Sequence, residues 1–116
     1  MSDSVILFGW NRSIPGREQM SGTEFQAFLG YLGGLQQEGA IGSFETVLLS
    51  AHGGDLNGFF LIRGDRGQLD AIQGSEAWMD FLTRAGMHLE GAGAIRGVTG
   101  DGVMEWMSRW AQAIPS

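Results

Sequence analysis

The chain has 116 residues, 43% of them apolar and 17% charged, with no cysteine, no lysine, seven arginines and a formal net charge of −6. No cysteine excludes a disulfide framework, a thiolate nucleophile and thiolate-held zinc or iron–sulfur clusters, and no lysine excludes a Schiff base to pyridoxal phosphate and a phosphate-loop lysine. The acidic balance disfavours nucleic acid and anionic membranes, which bind clustered Lys and Arg.

Asp3 stands where a secretory leader is basic, and the apolar run Val5–Trp10 is far short of a membrane span, so a soluble cytoplasmic protein is expected. Val5–Trp10 is β-branched and aromatic and stops at Asn11 and the Ser13-Ile14-Pro15-Gly16 turn, which predicts a buried first strand. Ser21-Gly22-Thr23-Glu24 fits a capping box. Phe25, Phe28, Leu29, Leu32 and Leu35 then form one helical stripe, and the helix is expected to run to about Glu38 and stop at Gly39.

Ile41–Ser50 and Leu56–Arg63 read as two strands of an antiparallel hairpin turned by Ala51-His52-Gly53-Gly54-Asp55. A second helix is expected to be interrupted at Gly74 and to restart at Ser75, with Trp78, Phe81, Leu82 and Ala85 on one side. Leu89–Val98 is rich in glycine and reads as a weak fourth strand. Val103, Met107, Trp110 and Ile114 share a face of a terminal helix at about 101–113. One domain over 1–116 is expected, its core within 5–99.

The order is βαββαβ plus a terminal helix. With right-handed crossovers this gives an α+β, ferredoxin-like fold: a four-stranded antiparallel sheet in the order 4-1-3-2, with both main helices on one face. Val5–Phe8, Val47–Leu49 and Phe59–Ile62 are apolar at successive positions, so both sheet faces call for burial. Leaving the second face wet would forgo roughly 10 kcal/mol, as much as a whole domain's stability. The covers open to the chain are the same face of a second copy, making a homodimer, or its own terminal helix.

The strand order, the doubly apolar sheet and the length resemble the dimeric α+β barrel superfamily, which includes the YCII-related and the antibiotic-biosynthesis monooxygenase-like proteins. The segments Leu48-Leu49-Ser50-Ala51-His52-Gly53-Gly54-Asp55-Leu56-Asn57-Gly58-Phe59-Phe60 and Ile95-Arg96-Gly97-Val98-Thr99-Gly100-Asp101-Gly102 are similar to those of a small uncharacterised bacterial family. Where YCII-related proteins usually carry a histidine beside helix one, this chain has Gly22-Thr23-Glu24-Phe25.

Gly91-Ala92-Gly93 and Gly100-Asp101-Gly102 fail the dinucleotide fingerprint, with Arg96 and Glu105 at the third glycine position, and there is no Gly-x-Ser-x-Gly elbow or zinc helix. No metal or cofactor is expected. The topology gathers Trp10, Arg12, His52, Asp55, Asn57, His88 and Glu90 at one sheet edge, which reads as hairpin chemistry, with Asp55 and Asn57 bonding to turn backbone and His52 exposed, or as a site where an imidazole switches charge near neutrality. Arg63 and Arg96 fall at the opposite edge, with Asp3 and Asp65 as expected ion-pair partners. Gly30, Gly33 and Gly34 inside helix one imply either close approach of helix to sheet or room for a ligand. In related folds that cleft holds ligands, which makes Tyr31, Trp78 and Phe81 candidate walls.

Three functions fit. The first is a homodimer binding a small, largely apolar molecule through Trp10, Arg12, Tyr31, Trp78, Phe81, His88 and Glu90. The second is a cofactor-free oxygenase or isomerase in which His52 shuttles a proton while Asn57 or Arg12 steadies oxyanion charge. The third is a structural or partner-binding module.

Overall fold

The computed structural model describes residues 3–115. β1 (Ser4–Trp10) is followed by a two-residue β2 (Arg12–Ser13) and by α1 (Glu18–Gln37). β3 (Ser43–Leu48) and β4 (Gly58–Gly64) form the hairpin, and α2 (Arg66–Gln73) and α3 (Glu76–His88) the broken second helix. β5 (Leu89–Glu90), β6 (Gly93–Val98) and α4 (Asp101–Ala113) complete the described chain. None of these helices is long and apolar enough to cross a membrane.

Local chemistry sets most of the boundaries. α1 ends in a Schellman arrangement, with Gly39 at φ 78°, its N–H bonded to Gln36 O and the Ala40 N–H to Leu35 O. Asp65 caps α2 in a reciprocal box with Gln68, each side chain accepting from the other's backbone N–H at 2.8 Å. Ser75 caps α3 by accepting from Trp78 N. One expectation is corrected: α1 starts at Glu18, a turn before the Ser21 box, and Arg17 occupies its N-cap without a side-chain bond. The Ser21 hydroxyl is left free for other work.

The long strands form an antiparallel sheet in the order β3-β4-β1-β6, and β2 pairs with β5 in a separate ribbon. Numbered over all strands this differs from the expected 4-1-3-2, because β2 and β5 enter the count. The expected single fourth strand is split at Gly91, whose φ of 67° turns the chain between β5 and β6. The hairpin strands are also shorter than expected, and the loop 49–57 is closed by the Leu49 N–H on Asn57 O.

Register divides the sheet into two faces. Ile6, Phe8 and Trp10 of β1 align with Ile62, Phe60 and Gly58 of β4, facing the helices. With Phe28, Leu32, Leu69, Ile72, Trp78 and Ala85 they make the core. Leu7 aligns with Leu61 and Ile95, and Gly9 with Phe59, on the opposite face. There Leu7, Phe59 and Leu61 are half-buried, and Ile95 is 65% exposed. α4 does not roof that face: Gly102 is its sole buried residue, and Met104, Met107, Trp110 and Ile114 are exposed. The radius of gyration, 15.9 Å, exceeds the roughly 13 Å of a compact domain near this size, as a helix standing off the body requires.

Three further expectations change. Arg63 pairs with Glu45 across the β3–β4 ladder at 2.9 Å, and Arg96 with Asp70 of α2 at 2.7 Å, because Asp65 is engaged as a cap. A Cβ added at Gly30, Gly33 or Gly34 would meet nothing within 4 Å, so close approach to the sheet does not account for these glycines. Nor do they line the cleft described next.

Candidate functional site

α1 and α3 run in opposite directions, and each turns the same spacing toward the sheet. Ser21, Phe25 and Phe28 stand at i, i+4 and i+7 of α1; Phe81, Ala85 and His88 do so on α3. The antiparallel pairing sets Phe28 against Phe81, with ring centroids 5.1 Å apart, and Glu24 against Arg84, and brings Ser21 to His88. Aromatic rings thus fill one end of the interhelical seam and polar groups the other.

Between this seam and the end of the sheet where β1 finishes and β4 begins lies a cleft of about 340 Å³. Six aromatic side chains line it: Phe8, Trp10 and Phe60 from the sheet, Phe25 and Phe28 from α1, and Phe81 from α3. Leu48, Ala85 and Leu89 add aliphatic wall. The rings meet mostly at steep angles, such as 86° between Trp10 and Phe25 and 71° between Phe28 and Phe60, which is the edge-to-face packing their quadrupoles favour. The polar lining is Ser13, Ser21, Glu24 and His88.

Ser13, Ser21 and His88 form a chain. Ser13 Oγ donates to Ser21 Oγ at 2.5 Å, and Ser21 Oγ lies 2.7 Å from His88 Nδ1. His88 is 4% exposed, and burial pushes its imidazole below the ordinary value near 6.5, partly opposed by the carboxylate of Glu24. A neutral ring at pH 7 follows. Glu24 is held by Arg84 Nε at 2.6 Å, and the Arg84 guanidinium lies 4.6 Å from the Phe81 ring centroid. No arginine lines the cleft itself.

Of the residues singled out from sequence, Trp10, Phe81 and His88 line this cleft. Trp78, 1% exposed, belongs to the solid core beneath, and Tyr31 packs on Phe81 at 4.9 Å without reaching the lining. Arg12 and Glu90 pair at 2.7 Å on the β2–β5 ribbon, outside the cleft, the carboxylate raising the guanidinium's pKa. His52 stays in the exposed loop, its Nε2 2.7 Å from Leu56 O and its Nδ1 accepting from Gly54 N. Asn57 donates to Asn11 Oδ1 at 2.8 Å, and Asp55 is exposed in the loop. The expected edge cluster is therefore divided, with His88 inside the cleft and His52 outside it.

Sequence reasoning missed Ser13, Ser21, Glu24, Phe25, Phe28 and Phe60 as lining. The matched i, i+4, i+7 sets on the two helices were the available signal; reading Ser21 as a cap concealed the first of them. In space, His88 supplies from α3 an imidazole beside α1, where the local sequence Gly22-Thr23-Glu24-Phe25 has none.

No protein-family model and no curated protein matches the chain. Among solved structures it is similar to a dimeric protein of unknown function and ferredoxin-like fold from Bacteroides fragilis NCTC 9343. The TM-score is 0.57 at 11% identity, over 83% of this chain and 96% of that one. The likeness is one of fold: the architecture is α+β and ferredoxin-like.

Proposed function

We propose that the protein is a homodimer in which each protomer holds a small, largely apolar organic molecule between its sheet and its helices. The observation that carries this reading is the cleft of about 340 Å³ walled by six aromatic residues. Its volume falls in the range of about 300–1,000 Å³ typical of small-molecule sites, which are mostly apolar with a few placed polar groups. Apolar ligand surface laid against these rings leaves water at about 25 cal/mol per Å², which favours an apolar occupant.

Association is supported by the second sheet face, where Leu7, Val47, Phe59, Leu61 and Ile95 lack a helical cover from their own chain. The Bacteroides fragilis neighbour, described as dimeric, offers a precedent in fold alone. A self-complementary face closing about a two-fold axis is the simplest cover.

Native mass spectrometry of freshly purified protein tests the ligand. A mass above that of the bare polypeptide by one small molecule per chain, released on denaturation, is the expected result. Bare protein that also fails to bind any member of an aromatic compound library would overturn the reading.

A further inference from the structure

The polar end of the cleft has a direction. Ser13 donates to Ser21 Oγ, and the Ser21 hydroxyl lies 2.7 Å from His88 Nδ1; a Ser21 hydrogen given to Nδ1 would put the ring proton on Nε2. Nε2 has no hydrogen-bond partner among the described residues, although the ring lines the cleft. The nitrogen opens to the cleft and is not among the fully buried polar atoms, so a ligand atom that accepts its hydrogen takes the place of solvent there.

Charge narrows the ligand further. The only ionised group in the lining is Glu24, already matched by Arg84. A carboxylate or phosphate entering here would meet a carboxylate, a neutral imidazole and apolar walls, with no cation to receive it. An ammonium group would find its natural partner engaged. The steep ring-to-ring angles leave a slot bounded by edges and faces, which suits a flat ring system.

We infer that the cleft is built for an uncharged, flat aromatic compound carrying one carbonyl oxygen, which accepts a hydrogen bond from His88 Nε2 while Ser13 and Ser21 fix the ring's tautomer. This rests on the proposed role of the cleft as a ligand site. His88 is thus a specificity-determining residue, and Ser21 a positioning residue acting through it.

The test is calorimetric titration of the full chain with four probes of one shape: 2-acetonaphthone, 2-ethylnaphthalene, 2-naphthoate and 2-naphthylmethylammonium. The ketone is expected to bind up to about tenfold tighter than the hydrocarbon, the net gain of one hydrogen bond made in place of water, with both ions weaker than the ketone. His88→Phe is expected to abolish the preference for the ketone while retaining the hydrocarbon. Should that variant fail to fold, ¹⁵N-resolved imidazole spectra of the unmodified protein decide the matter: a protonated Nε2 whose resonance moves with the ketone and not with the hydrocarbon. Equal affinity for ketone and hydrocarbon, or tightest binding of either ion, would overturn the inference and leave the cleft as a ligand site. Failure of every probe to bind would overturn both.

Discussion

His88 joins a buried position to a titratable ring, and its sign can be worked through. Burial lowers its folded-state pKa below the ordinary value near 6.5, so below that value the unfolded chain binds more protons than the folded one. The stability held by the neutral ring is complete above about pH 6.5 and is lost as pH falls from there through the depressed folded value. The groups bearing on the ring are Glu24, which opposes the shift, its partner Arg84, the Ser21 hydroxyl and Arg17, which donates to Met87 O. The midpoint of thermal unfolding is accordingly expected to fall between pH 7.5 and 5.5 in the native protein, and His88→Gln to flatten that slope. A slope unchanged by the substitution would remove His88 as its source. Phe28 is the second informative residue: it touches Phe8, Tyr31, Phe60, Trp78 and Phe81 with centroids 4.9 to 5.9 Å away. Phe28→Ala is expected to cost about 3–5 kcal/mol in denaturant unfolding. Gly30→Ala should do the opposite, gaining up to about 1 kcal/mol, since the new methyl group meets nothing and helix propensity improves.

At the scale of elements, the helix ends divide into those set by side chains and those set by context. The Asp65–Gln68 box makes two bonds at the start of an eight-residue helix that brings Leu69 and Ile72 to the core. Asp65→Ala is expected to lower stability by about 1 kcal/mol, and Asp65→Asn by less, in equilibrium unfolding. Identical losses for the two variants would mean that charge, and not the cap, is what matters. The box at Ser21 looked equally good in sequence and is not used, since the chain enters α1 through Arg17 and Glu18 while Ser21 serves His88. Apolar runs and helical stripes located β1, the hairpin strands and the helices because they report burial, which is common to sequence and structure, while β6 was legible only through glycines that disfavour a helix. None of these signals could resolve β2 and β5, which are two residues each and pair only with one another across the chain. The division of the polar edge was half hidden: His88 falls on the same α3 face as Phe81 and Ala85, whereas the place of His52 follows the path of loop 49–57, which nothing in its composition specifies.

For the whole molecule, the two faces of the sheet have different fates. Helices cover one and create the cleft; the other carries Leu7, Phe59 and Leu61 with Ile95 beside them, while α4 stands off the body. The apolar runs made this second face visible in sequence, yet they left the choice between a second copy and the terminal helix open, because amphipathicity does not say where a helix docks. With α4 exposed beyond Gly102, the proposed homodimer supplies that cover from a twin protomer. Leu61→Asp, at the centre of that face, is expected to weaken association strongly, a charge there having to be desolvated opposite its own copy, while leaving the cleft residues in place. Sedimentation equilibrium of the native protein at micromolar concentration addresses the association most directly. A mass of twice 12.5 kDa, reduced to 12.5 kDa by Leu61→Asp, is the expected result; native protein sedimenting as a 12.5 kDa monomer would contradict it.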